Sequence, residues 1–150
     1  MNKRVYGRKL SRSRPAREAL FSTLVRSVIL TGKIETTYAK AKAVQPDLEK
    51  MVTLAKKGTL ASRRAALTYL DNARNVTDLL FQKVAPSFST RTSGYTRITR
   101  LARRSGDNAQ IVKLEWTDKI EMAEKPKTEK SKLQIKSEKT EKAVKGKEKA

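Results

Sequence analysis

Cysteine and histidine are both absent from this 150-residue chain. Without a thiol there is no disulfide framework, no thiolate metal site and no cysteine nucleophile. Without an imidazole as well, the common zinc sites, serine triads and histidine acid–base chemistry are excluded. Aromatic residues make up only 5% and hydrophobic residues 37%, so the core of a single modest domain must be economical. No run of about eighteen apolar residues occurs, which excludes a transmembrane helix. The opening stretch lacks both the apolar segment and the small-residue cleavage pattern of a secretory signal. A cytoplasmic protein is therefore expected, with no cofactor, no metal, no membrane and no small-molecule substrate.

What the chain has in excess is positive charge. Thirty-five Lys or Arg against fifteen Asp or Glu leave a formal net charge of +20, and the natural partner of such a chain is a polyanion. The charge is unevenly spread. Residues 1–17 hold seven basic side chains and no acid, with Gly7 and Pro15 breaking regularity. Such a segment cannot bury enough surface to offset its ordering entropy, so an extended basic arm is expected over residues 1–14. Residues 119–150 carry eleven Lys and six Glu, with no Arg and no aromatic residue. That composition reads as a low-complexity, disordered tail. The globular domain must then come from residues 15–118.

Within it, Pro15 suits a first helical turn and Gly32 a C-terminal stop, predicting a helix from about Pro15 to Thr31. Its apolar stripe is Leu20, Phe21, Leu24 and Val28, with Val25 beside them. The β-branched run Lys33–Thr37 reads as a short strand or extended connector. A second helix runs from a Thr37 cap to Lys57, ended by Gly58, with Ala41, Val44, Leu48, Met51, Val52 and Ala55 on one face. Pro46 lies inside it, so the helix either kinks there or stops and restarts, and a kinked continuous helix is expected. A third helix starts at a Thr59 cap, and Asp71-Asn72 supply a turn and the cap of a fourth, which Pro86 stops near Val84. Two strands follow, Tyr95–Leu101 and Gln110–Trp116, joined as a hairpin, with the Ile34 segment available as a third strand. Val112, Leu114 and Trp116 share the inward face of the second strand. The expected fold is α+β: three to four helices on one face of a small two- to three-stranded mixed sheet.

Two basic clusters are candidates for binding. In the arm, Lys3, Arg4, Arg8, Lys9, Arg12, Arg14 and Arg17 can neutralise phosphates, and Tyr6 can stack on an unpaired base. In the hairpin region, Arg91, Arg97, Arg100, Arg103 and Arg104 occur with no acid between Ser87 and Gly106. Arginine forks suit bidentate phosphate contacts. Tyr95 beside them can stack on a base or pack under the sheet, and an arginine row can also protect a strand edge. Arg63 and Arg64 stand near a helix N-terminus with the hydroxyls of Thr59 and Ser62, a favourable place for phosphate. Lys40, Lys42, Lys56 and Lys57 read as helix surface, with Lys40 retained as a weaker candidate. Asp107-Asn108 reads as a turn rather than a catalytic pair, and neither Gly58 nor Gly106 belongs to a phosphate-loop pattern. No catalytic constellation emerges.

Several strings together resemble one family, the bacterial large-subunit ribosomal protein L-seventeen. They are Gly7–Arg12 (GRKLSR), Arg17–Leu20 (REAL), Ile34–Thr37 (IETT) followed by Lys40-Ala41-Lys42, Leu54-Ala55-Lys56, Arg63-Arg64-Ala65, Ser93–Ile98 (SGYTRI) and Arg104–Ala109 (RSGDNA). The resemblance implies a structural, non-enzymatic role: binding 23S rRNA at the periphery of the large subunit, beside neighbouring ribosomal proteins. Ala16-Arg17 and Asn2-Lys3 stand where the family usually has a His-Arg pair and a His or second Arg, so any imidazole contact there is lost. The 119–150 tail extends past the resemblance. A general DNA-compacting, nucleoid-type protein is the alternative function. It would need a symmetric dimer or a groove-reading helix, and neither a heptad seam nor an apolar wedge is evident.

Overall fold

A computed structural model describes residues 8–118 and 120. The expected tail from 119 onward therefore lies outside the described residues, Ile120 excepted, as do residues 1–7 of the arm. Ile120 itself is half-buried and packs against the core.

Helix α1 spans Arg14–Thr31. Pro15 occupies its first turn, where a missing N–H costs nothing. Gly32 closes it in the left-handed region (φ 79°), with its N–H donating to the Val28 carbonyl at 2.8 Å. The buried face is centred one turn later than the sequence stripe: Ser22, Val25, Val28 and Ile29 are buried, while Phe21 and Leu24 pack at the margin. A polar tether accounts for Ser22 among them. Its hydroxyl donates to Asp71 Oδ2 at 2.7 Å, and Arg26 reaches the same oxygen at 3.1 Å. Strand β1 (Lys33–Thr37) leads directly into helix α2 (Tyr38–Lys57). All six residues of the α2 apolar face are buried, and the helix runs unbroken through Pro46. It is the central element, touching α1 and β1, most of the later helical segments and both remaining strands.

Helix α3 (Leu60–Tyr69) begins at Thr59, whose hydroxyl accepts the Ser62 N–H at 3.2 Å. Asp71 and Asn72 then both take positive φ values of 51° and 58°, which reverses the chain. They turn the chain but do not cap the next helix: α4 (Arg74–Leu79) starts from Ala73, with no side-chain cap. Nor does Pro86 stop that helix. The path continues as a π turn over Leu80–Val84 and a last short turn, α5 (Ala85–Ser87). The wider turn, in which the Ala85 N–H donates to the Leu80 carbonyl, makes room ahead of a ring that would clash with the carbonyl four residues back.

Strands β2 (Thr96–Arg103) and β3 (Gln110–Trp116) form the expected hairpin, and β1 pairs with the other edge of β3. The order is β1-β3-β2 and both pairings are antiparallel, so the sheet is not mixed. With β3 in the middle, neither neighbour needs the crossover that parallel pairing demands. Val112, Leu114 and Trp116 lie buried on the helix side, as the alternation predicts. Phe88, Tyr95 and Trp116 meet there as an aromatic cluster, with Phe88 5.2 Å from Tyr95 and 5.7 Å from Trp116 between centroids. The α2 carboxylate of Glu49 ties down the entry to β2. It accepts the Gly94 and Tyr95 N–H groups, each at 3.1 Å.

Candidate nucleic-acid interface

The hairpin arginines form no single row. On the outer face of the sheet Arg97 lies opposite Glu115, and its guanidinium donates to Glu115 Oε1 at 3.1 and 3.3 Å. Lys113 approaches the other oxygen at 3.0 Å. The hydrogen bond from Lys113, then that from Arg97, holds the Glu115 carboxyl below the usual carboxylate range despite partial burial. In the hairpin loop Arg104 grips Asp107 with two nitrogens. This hydrogen bonding, joined by the Ala109 N–H, lowers the Asp107 pKa to about 2. Arg91 holds Asp118 through two bonds of 2.9 Å. Three of the five hairpin-region arginines are therefore committed to carboxylates of this same chain.

The other two are not. Arg100 and Arg103 are exposed, and among the described residues neither has an acidic partner. Arg100 sits opposite the buried Val112, on the helix side of the sheet. Its guanidinium lies over the ring of Tyr38, 5.9 Å from the centroid. Arg103 follows three residues later, which by simple alternation places it on the opposite face. An irregularity between them shifts the register by one, so Arg103 pairs with Gln110 rather than Ala109. Gln110 and Val112 share a face, and the bulge thus returns Arg103 to the side that Arg100 occupies. The Gln110 amide fixes the irregularity, donating to the Leu101 carbonyl at 2.9 Å and to the Ile111 carbonyl at 3.1 Å.

Elsewhere the expected residues separate in the same way. Tyr95 is only 1% exposed, with its hydroxyl donating to the Thr92 carbonyl at 2.8 Å, so its base-stacking role is overturned. Its ring is consumed by the aromatic cluster, and Lys56 Nζ lies 5.6 Å from its centroid. Arg63 binds Asp78 and lies over Phe81 at 5.6 Å, whereas Arg64 is exposed. The Ser62 hydroxyl donates to the Thr59 carbonyl and is spent within the helix cap, whereas the Thr59 hydroxyl accepts the Ser62 N–H and keeps its own proton to donate. Lys40 is half-buried in the first turn of α2, a turn without any acid.

In the arm, Arg14 bonds Glu18 at 2.8 Å, and half-buried Arg17 reaches back to the Arg12 carbonyl. Arg8, Lys9 and Arg12 are exposed. The described part of the arm is not extended throughout. Leu10 and Ser11 both have φ 51°, and the Arg12 N–H returns to the Lys9 carbonyl at 3.2 Å, making a tight turn. Lys3, Arg4 and Tyr6 lie outside the described residues. Tyr38 and Gln110 are the members of the arrangement that sequence reasoning missed. The only available signal was the position of Tyr38 at a strand-to-helix junction, two residues before Lys40.

Among the described residues no three carboxylates gather to hold a metal ion, and no helix is long and apolar enough to cross a membrane. A cleft of about 670 Å³ opens between α1, α2 and α3, lined in part by Phe21, Tyr69, Glu18 and Asp71. Glu18 is bonded to Arg14, and Asp71 to Ser22 and Arg26.

The profile of the Ribosomal protein L17 family matches residues 20–117. The large ribosomal subunit protein bL17 of Oenococcus oeni is 45% identical over 128 residues, covering 74% of this chain and 98% of its own. Its counterpart in Natranaerobius thermophilus is 48% identical over 111 residues, covering 74% and 97%. That of Persephonella marina is 45% identical over 119 residues, covering 79% and 96%. With near-complete relatives at this identity and a profile spanning the whole sheet and nearly all of the helix layer, the chain belongs to the ribosomal protein L17 family.

Proposed function

We propose that this protein is a structural constituent of the large subunit of a bacterial ribosome, where it binds folded 23S rRNA and neighbouring ribosomal proteins. It acts in the cytoplasm and has no enzymatic role. One observation carries the RNA-binding reading. The acids of the folded domain are largely spent on internal arginines, while Arg8, Lys9, Arg12, Arg64, Arg100 and Arg103 stay exposed without carboxylate partners among the described residues. The names of its relatives support the subunit.

Lys3, Arg4, Arg8, Lys9 and Arg12 of the arm and the open hairpin arginines supply two separated sets of phosphate contacts. Phosphate contacts position the protein, and RNA shape supplies most of the specificity. Neutralising roughly six to ten phosphates weakens binding about 10³–10⁵-fold between 50 and 200 mM salt. Binding to a 23S rRNA transcript across that range tests the reading, and a flat response overturns it. Sucrose-gradient fractionation tests the alternative: recovery with salt-washed large subunits supports the ribosomal role, and recovery with chromosomal DNA supports compaction.

A further inference from the structure

The five hairpin-region arginines differ in what the fold has done with them, and the difference points to a specific ligand. A guanidinium meant for a phosphate alone needs only exposure. Arg100 has more: it is laid over an aromatic ring at 5.9 Å, and no carboxylate of the described residues competes for it. Tyr38 is half-buried against the core, so the ring is a fixed support. It begins α2 immediately after β1, and the row Thr36, Val112, Arg100 crosses the sheet on the same side. A guanidinium resting on a ring offers a flat, weakly hydrated surface, and such a surface stacks on nucleobases.

Arg103 supplies the second half. The bulge brings it to the Arg100 side of the strand, and the Gln110 amide holds that irregularity with two hydrogen bonds. A planar stacking group and a cationic fork, one bulge apart on a single strand, match a nucleotide: base on one, backbone phosphate beside it on the other. Only an unpaired base can offer its face, because in an A-form helix both faces are covered by neighbours.

We propose that Tyr38, Arg100 and Arg103 form a subsite for one unpaired RNA nucleotide, with the base stacked on the Arg100 guanidinium and its phosphate held by Arg103. Gln110 is a positioning residue that sets the face of Arg103. The subsite rests on the rRNA-binding reading and refines it, since charge alone would not distinguish a base from a bare backbone.

The test compares two probes that bind the full chain: a short fluorescein-labelled oligouridylate and an abasic oligoribonucleotide with the same number of phosphates. The intact protein binds the oligouridylate about tenfold more tightly, the scale of one stacked base. Arg100→Lys keeps the charge and loses the plane, so it abolishes this preference while leaving the salt slope unchanged. Tyr38→Leu does the same, with circular dichroism confirming the fold. Arg103→Gln instead weakens both probes equally and lowers the salt slope by about one. Equal affinity of the intact protein for the two probes, with steep salt dependence intact, overturns the subsite and leaves rRNA binding standing. A flat salt response with both probes overturns both. Retention of the preference by Arg100→Lys reduces Arg100 to a point charge and also overturns the subsite.

Discussion

Arg97 and Arg103 occupy the same exposed strand six residues apart, yet the fold treats them in opposite ways. Arg97 faces Glu115 across the outer side of the sheet and shares that carboxylate with Lys113. Arg103 is returned by a bulge to the helix side and has no carboxylate partner among the described residues. The same contrast separates Arg91 and Arg104 from Arg100. Arginine density in a sequence therefore overstates the charge offered to a partner. What counts is which guanidinium groups remain after the domain has neutralised itself.

The sharpest way to break this contrast is to remove what holds both groups in place. Leu114 is fully buried in the central strand, and Leu114→Ala is expected to cost about 2–5 kcal/mol through lost burial and a residual cavity. Urea denaturation measures it. A smaller loss follows from Glu49→Gln. It puts an amide where a carboxylate accepts the Gly94 and Tyr95 N–H groups, at a cost of about 1–3 kcal/mol, read as a lower thermal midpoint.

Arg97→Gln sharpens the contrast. An exposed ion pair is worth about 0–1 kcal/mol, so stability should barely move. The salt slope for 23S rRNA should also stay where it is, whereas a fall by about one unit would place Arg97 among the binding groups.

The least costly probe is acid. Asp107 has its pKa lowered to about 2 by Arg104 and the Ala109 N–H. A depressed carboxyl favours the folded loop above its ordinary pKa, and that contribution fades as pH falls from about 4 toward 2. Carboxyl NMR titration of Asp107 should show a midpoint near 2. A midpoint near 4 would mean the loop pair is open in solution.

Much of this arrangement was legible because it is local. The α2 face repeats at helical spacing, Gly32 and Gly58 end their helices, and the alternation in Gln110–Trp116 fixes which side is buried. Local features that deceived did so through geometry beyond pattern reading. Pro86 looked like a stop because a π turn has no sequence signature of its own. The Asp71-Asn72 pair looked like a cap because left-handed turns favour the same residue types. The pairing of arginines was illegible for a different reason: Glu115 and Asp118 come from beyond the hairpin loop, and strand register brings Glu115 to Arg97 while the chain path after β3 brings Asp118 to Arg91. Tyr95 and Tyr38 were indistinguishable as letters. The fold buries the first among Phe88 and Trp116 and leaves the second beneath Arg100.

The bulge in β2 makes the register of two arginines as consequential as their identity. Deleting Ala102 would change neither net charge nor arginine count, and it would leave Arg103 two residues after Arg100, opposite Gln110 and on the same face by plain alternation, with no bulge needed. What decides where the second charge is displayed is its pairing with Gln110, which a bulged three-residue step and a regular two-residue step satisfy equally. Among relatives of equal composition, whether the second arginine pairs with the Gln110 position, rather than the tally of basic residues, would tell which ones present the same surface.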